Sequence, residues 1–266
     1  MWAFRHSTDT GRKRIMMNVP ILWVKVAIQA LPPEFVGFKI VQLTDVHRGM
    51  LVSHQMVVQG VELARGLEPD LVALTGDYVT GTARRAYEVA RVVRSRLTPP
   101  HGIFAVLGNH DYWTNAEAVG GAFAGQGIPV LINEHRKIAR GDAAIYLLGV
   151  DDVWSGRPAL DRAVEGVPPG AVKILLCHEP DYADTAKDFG IALQMSGHSH
   201  GGQVRIPLIP PIYPPLGRKY PVGLQRVKDS EMQVYTSRGL GHVFPGRFHC
   251  PPEITLITLA LAKPGT

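Results

Sequence analysis

The stretch FKIVQLTDVH (residues 38–47), followed by DLVALTGD (70–77), decides the fold of this chain. Each is a short apolar run that ends on a carboxylate or an imidazole. Continuous apolar runs of this length, bounded by turn residues, read as strands buried on both faces, the habit of a parallel sheet. The same pattern returns in IFAVLGNHD (103–111), VKILLCHE (172–179) and IALQMSGHSH (191–200). Between the runs, SHQMVVQGVELARGL (53–67) and RRAYEVARVVRSRL (84–97) carry helical spacing, and residues 114–126 and 158–166 are further helix candidates. Strands alternating with helices argue for βαβ units around a parallel core. Residues 129–150 read as an antiparallel meander with a turn at Gly141-Asp142, and the segments 224–239 and 252–260 read as strands again. The count suits an α/β fold with two mixed sheets and helices outside.

A chain of 266 residues matches one large α/β domain, taken as residues 19–266 behind a loose basic tail at 1–18. Such a core needs no disulfide, so Cys177 and Cys250 read as reduced, buried thiols. The net charge of +5 favours anionic partners such as phosphate esters. The basic runs Arg12-Lys13-Arg14 and Arg218-Lys219 are too short for a nucleic-acid patch, and nothing implies a protein partner. No apolar run is long enough to cross a membrane. In ILWVKVAIQA (21–30), Val24, Val26 and Ile28 alternate with Lys25, Ala27 and Gln29, which predicts a half-buried strand rather than a secretory signal. The expected location is therefore cytoplasmic, at most peripheral to the inner membrane.

The strand ends carry the chemistry. Asp45, His47, Asp77, Asn109, His178, His198 and His200 converge if the apolar runs form parallel strands, because open α/β sheets place their sites at the carboxyl edge. Gly76, Gly108 and Gly197 each precede one of these residues and permit the sharp exit from a strand. Seven such groups exceed what one ion needs and suit two ions sharing a carboxylate. Two divalent ions lower the pKa of a water between them and clamp the attacking and leaving oxygens of an in-line displacement. The mixed nitrogen and oxygen donors fit Mn, Fe, Zn or Co.

The order D-x-H, G-D, G-N-H-D, H, G-H-x-H, read at Asp45-Val46-His47, Gly76-Asp77, Gly108-Asn109-His110-Asp111, His178 and Gly197-His198-Ser199-His200, resembles the calcineurin-like metallophosphoesterase superfamily over about residues 38–260. The resemblance implies a four-layer α/β/β/α sandwich. It implies one ion on Asp45, His47, Asp77 and His200 and a second on Asp77, Asn109, His178 and His198. It also implies attack by a metal-bridging hydroxide, with His110 as the histidine that binds no metal and acts on the transition state or the leaving oxygen.

Serine/threonine protein phosphatases of that superfamily carry an acid and an arginine where this chain has Thr80 and Gly81, which argues against a phosphoprotein substrate. GHSHGGQVRIP, SRGLG and RFHCPPEITLITL are similar to a bacterial branch that includes membrane-associated phosphodiesterases and enzymes like UDP-2,3-diacylglucosamine pyrophosphatase of lipid A synthesis. That likeness implies a phosphodiester or pyrophosphate in a small-molecule, lipid-linked or nucleotide-sugar substrate. Two alternatives are a nuclease or cyclic-nucleotide phosphodiesterase, which the basic charge favours, and a metal-bound scaffold, which would be expected to lose His110 or several ligands. Arg48, Arg238 and the histidines outside the motifs read as structural or surface groups. Trp113 reads either as packing or as a neighbour of the substrate. The loop Ile206–Tyr220, with prolines that exclude it from a sheet, is expected to wall the cleft with Ile206, Leu208, Ile209, Ile212, Tyr213 and Leu216 and to meet an acyl chain or an anionic membrane surface.

Overall fold

The protein is represented by a computed structural model, and the structure describes residues 19–243 and 246–263. The proposed tail at 1–18 lies outside the described residues.

The chain runs β1 (Ile21–Ile28), β2 (Lys39–Leu43), α1 (His54–Arg65), β3 (Leu71–Thr75), α2 (Arg84–Arg96), β4 (Ile103–Val106), α3 (Asn109–Ala124), β5 (Glu134–Arg140) and β6 (Ala143–Gly149). It continues through α4 (Leu160–Val164), β7 (Lys173–Leu176), α5 (Ala183–Ala186), β8 (Leu193–Ser196), β9 (Gly223–Arg226), β10 (Gln233–Thr236) and β11 (Ile254–Leu261). One sheet has the order β1-β11-β2-β3-β4 and the other β5-β6-β7-β8-β10-β9. In the first, β2, β3 and β4 are parallel and β11 is antiparallel to β2. In the second, β6, β7, β8 and β10 are parallel, flanked by antiparallel β5 and β9.

Three apolar layers hold these sheets together. Phe38, Ile40, Leu71, Phe104, Ile145, Ile174, Leu193 and Ile257 fill the space between the sheets. The opposite side chains of the first sheet, Val41, Val72 and Ala105 among them, pack on α1, α2 and α3. The second sheet covers its outer face with Leu160 and Ala163 of α4 and Ala183 and Ala186 of α5. Helix, sheet, sheet, helix is the four-layer α/β/β/α order. β3 and β4 are buried at every position, which is why their sequences show no alternation.

The helices follow their spacing. Ser53 caps α1, its hydroxyl accepting from Met56 N at 3.2 Å, and Val57, Gly60, Val61 and Ala64 form the buried stripe. α2 buries Ala86, Val89, Ala90 and Val93 and stops before Pro99 and Pro100. ILWVKVAIQA forms β1, with Val26 and Ile28 buried and Lys25 exposed. Both cysteines are buried and free. No helix among the described residues is long and apolar enough to cross a membrane.

Candidate metal centre

Two hydrogen bonds bring the sheets together beneath the site. Gln42 Nε2 donates to Thr75 Oγ1 at 2.8 Å and to the Ser196 carbonyl at 2.9 Å, tying the ends of β2, β3 and β8. The five motifs then leave the strands toward one point. Backbone strain accompanies them: Asp45, His47, Asp77, His198 and His200 all have φ between 46° and 70°. Such values cost side-chain-bearing residues free energy, and clusters of them mark functional sites. Close backbone approach adds to this at Gly197, where a Cβ would lie 2.1 Å from Asp45 Oδ2. Gly197→Ala is therefore expected to displace Asp45 and to lower both the melting temperature and activity, read by thermal unfolding and by hydrolysis of an aryl diester.

All eight residues singled out in the sequence meet here. His47 Nε2 lies 3.0 Å from His200 Nε2, 3.8 Å from Asp45 Oδ1 and 3.5 Å from Asp77 Oδ2. His200 Nε2 is 3.3 Å from Asp45 Oδ1. On the other side, His178 Nε2 is 3.2 Å from Asp77 Oδ2, and His198 Nδ1 is 2.9 Å from Asn109 Oδ1. Asp77 Oδ2 thus stands between His47 and His178. The imidazole of His110 rests edge-on to His47 with centroids 4.7 Å apart, and its backbone N–H donates to Asp77 Oδ1 at 2.8 Å.

The hydrogen bonds fix which nitrogens face inward. A carbonyl only accepts, so His178 Nδ1 carries the proton it gives to Thr75 O at 2.7 Å. Its Nε2 is left with a bare lone pair, buried and without a hydrogen-bond partner. His198 Nε2 likewise donates to the Pro215 carbonyl at 2.8 Å, turning its bare Nδ1 toward Asn109. His47 Nδ1 meets Thr80 Oγ1 at 3.0 Å, so the residue standing in place of a phosphatase acid supports an imidazole. Outer partners of this kind orient metal-binding histidines.

Electrostatics point the same way. Burial disfavours ionised Asp45 and Asp77, yet the surrounding histidines outweigh it and hold both carboxyls below the usual range. Burial would keep His178 neutral, but Asp77 and Asp45 raise its pKa well above normal, so these carboxylates demand positive charge at its inner nitrogen. His198 is pushed down to about 4 by burial and by His178. Burial, with His47 and Arg247, also lowers His200. A buried His178 nitrogen that faces two ionised carboxylates without a hydrogen-bond partner, beside His198 and His200 that burial keeps neutral, is the donor set of a divalent cation site once the ion takes the place of the proton on His178, and the residues fit two such ions.

Asp111 does not orient His110. Its buried carboxylate accepts from the backbone N–H groups of Asp77, Tyr78, Val79 and Gly108 at 2.8, 2.9, 3.3 and 3.1 Å. Burial and Asp77 raise its pKa to about 8 against the pull of these donors. It thereby holds the turn that carries Asp77 and closes the first turn of α3. Asp111→Ala leaves four buried donors unmet and is expected to destabilise the protein by about 3 kcal/mol. Denaturant titration against the parent protein checks it.

Several contributors carried no local signal. Arg247 donates to the carbonyls of Arg238 and Gly241 and lies 3.2 Å from His200 Nδ1. Trp154 packs edge-on to His198 and to Trp113. Tyr112 donates to Asp151, which also accepts from Arg157 N at 2.8 Å and so ties α3 to the loop bearing Trp154. Arg48 pairs with Glu88, and Arg238 with the buried Glu253; both are structural. A cleft of about 660 Å³ opens from Asp77, Asn109, His110 and His198. Trp113, Trp154, Ile206, Ile209, Ile212 and Tyr213 supply much of its wall.

The calcineurin-like phosphoesterase family matches residues 38–202. Phosphodiesterase YaeI of Escherichia coli K12 is 33% identical over 226 residues, 84% of this chain and 82% of that protein. YkuE of Bacillus subtilis 168, an uncharacterized metallophosphoesterase, is 33% identical over 235 residues, 86% of this chain and 81% of its own length. Among solved structures, TT1561 of Thermus thermophilus superposes with a TM-score of 0.51 at 14% identity, over 76% of this chain and 90% of that one. The 5'-nucleotidase precursor of the same organism gives 0.50 at 16% identity over 77% of this chain, which spans only 49% of that protein. These two structures share the fold. The family match and the relatives that are a third identical over most of their length show that this chain belongs to the calcineurin-like phosphoesterases, a family of metal-dependent phosphoester hydrolases.

Proposed function

We propose that residues 19–266 form one catalytic unit that hydrolyses a phosphodiester or pyrophosphate with an apolar substituent. Asp45, His47, Asp77 and His200 would hold one divalent ion, and Asp77, Asn109, His178 and His198 a second, with Asp77 shared. The observation that carries this assignment is Asp77 Oδ2, lying between His47 at 3.5 Å and the unpartnered Nε2 of His178 at 3.2 Å. When bound, two such ions supply Lewis-acid charge that acidifies water and neutralises phosphate oxygens; the donors suit Mn, Fe or Zn.

The protein's own residues do the rest. Thr75, Thr80 and Pro215 fix the imidazoles of His178, His47 and His198. His110 stands beside the shared carboxylate, where it can donate a proton to a leaving oxygen. Burial, with His47 and His178, lowers its pKa against the pull of Asp77. Trp113, Trp154 and the aliphatic loop exclude water and receive the apolar part of the substrate. An acyl chain or lipid-linked group suits the aliphatic wall. A nucleotide-sugar is the second reading, favoured by the exposed indoles of Trp113 and Trp154.

The name of the similar phosphodiesterase and the absence of a phosphatase-type acid and arginine at Thr80 and Gly81 both support diesters over phosphoproteins. kcat/KM for an aryl phosphodiester is expected to exceed that for a phosphoserine peptide by at least about tenfold, a difference of ~1.4 kcal/mol in transition-state binding. A preference for the peptide would reverse the assignment. Among diesters, kcat/KM should rise with the length of an attached acyl chain.

A further inference from the structure

A second cavity lies at the other end of the molecule. It encloses about 620 Å³ and shares no residue with the cleft at the metal centre. The histidines of the centre follow the carboxyl ends of β7 and β8, whereas this cavity meets the same two strands at their amino ends, at Lys173 and Ala192. β10 contributes Gln233, also at its start, and the other sheet closes the space with residues 27–30, where β1 ends. The volume is that of a small-molecule site, which spans about 300–1,000 Å³.

Contacts across the two sheets hold the cavity open. Gln233 Nε2 donates to the Ala27 carbonyl at 2.7 Å, and Gln29 Nε2 donates to Glu231 Oε2 at 3.1 Å. Gly190, at φ 67°, ends a turn in which its N–H returns to the Lys187 carbonyl at 3.4 Å. A Cβ at Gly190 would lie 3.2 Å from Lys173 Nζ, so the Lys173 ammonium rests against the turn that carries Lys187.

The charge of this space is unbalanced. Among the described residues, four charged side chains line it: Lys173, Lys187, Arg226 and Glu231. Arg226 pairs with Glu231, and the two cancel. Lys173 and Lys187 are left, and neither side chain has a hydrogen bond or an ion pair to another described residue. The acids near Lys187 in sequence do not answer them. Asp184 is held by Lys219 Nζ at 2.6 Å and by Tyr220 Oη at 2.9 Å, and Asp188 is exposed and outside the cavity. Two ammonium groups gathered at one turn repel each other. The arrangement is unfavourable to the fold alone and favourable to a bound dianion.

We propose that this cavity is a second ligand site, apart from the metal centre, for a small phosphorylated molecule. A phosphomonoester carries a charge of about −1.5 to −2 at neutral pH and three strong acceptor oxygens, which match the two lysines. An ammonium binds phosphate as a point charge with three rotatable donors, so the pair needs no fixed fork geometry. The space is larger than a phosphate group, and Ile28, Leu224 and Met232 give the organic part of the ligand an apolar wall. Binding here uses no metal and no catalytic group, so it stands independently of the phosphoesterase reading.

The test is isothermal titration calorimetry of the metal-loaded protein with phenylphosphonate, an anion whose P–C bond a phosphoesterase does not cleave. The parent protein is expected to bind one equivalent more than the double variant Lys173→Ala/Lys187→Ala, with a Kd below about 1 mM at that site. Either single substitution should weaken the site by about tenfold, the scale of one charge-assisted contact. Neither lysine lines the cleft at the metal centre, so hydrolysis of an aryl diester, and its inhibition by phenylphosphonate, should be the same in parent and double variant. Lys187→Ala removes one of two like charges, so it should melt no lower than the parent, while the rise in melting temperature that phenylphosphonate gives becomes smaller. Equal stoichiometry in parent and double variant, or a Kd above that limit, would overturn the proposal and leave two solvated lysines. Inorganic phosphate binding as tightly as phenylphosphonate would overturn the role of the apolar wall. A parent that hydrolyses no diester would refute the catalytic reading and leave the difference in stoichiometry standing.

Discussion

Asp77→Asn is expected to lose metal at both positions and to lower kcat by at least about 10³-fold, the scale for removing one strong electrostatic contact in an active site. The carboxylate has three connections. Its Oδ2 stands between His47 and His178, its Oδ1 accepts the His110 backbone N–H, and its own N–H is held by Asp111. Asparagine keeps the shape and the Oδ1 contact but removes the charge that raises His178 above its normal pKa. Elemental analysis of the purified variant under saturating manganese provides the check. If the variant retained two ions per chain, Asp77 would not be the shared ligand. A parent protein holding one ion per chain at full activity would remove the dinuclear scheme altogether.

The second large effect concerns His110. Its ring packs edge-on to His47 and against Trp113, its backbone N–H bonds Asp77, and its imidazole lies within 4.8 Å of ligand atoms of His47 and Asp77, so the proposal that it binds no metal is what the substitution His110→Gln tests. That variant should keep both ions and the parent melting temperature, while kcat falls by about 10²–10⁴-fold, the usual worth of a positioned proton donor. The loss should shrink for a substrate whose leaving group needs no proton, such as a nitrophenolate. An equal loss for good and poor leaving groups would argue against proton donation. Loss of metal would make His110 a ligand.

Much of this is legible in the amino-acid sequence. Strand runs of uninterrupted aliphatic residues announce double burial, and a polar residue that ends one is fixed in space by the sheet. That is why Asp45, Asp77, His178, His198 and His200 could be brought together from spacing alone. α3 was harder. Helical spacing suggested its start at 114, whereas it begins at Asn109, because the polar motif GNHD is itself the first turn, with Gly108 before it and Asp111 reaching back to the Gly108 N–H. Inside α3, Asn115 leaves helical geometry and its side chain accepts from Ala118 N, so the periodic part is a second piece. Arg247, Trp154 and the Pro215 carbonyl could not be located, since each reaches the site through an irregular loop whose path depends on distant contacts. Pro215 lies seventeen residues from His198 and is joined to it by one hydrogen bond. A backbone carbonyl also leaves no trace in residue identity.

The five left-handed residues at the site have a consequence for the protein's life in a cell. Five side-chain-bearing residues at φ 46° to 70° each cost on the order of 1 kcal/mol, and Asp45 and Asp77 add buried negative charge. Ions that bind only the folded state offset this by mass action. Folding and metal supply are then one equilibrium: a chain synthesised under metal starvation spends more time open, and proteases remove it. The steady-state amount of this protein should follow the free divalent metal concentration of its surroundings.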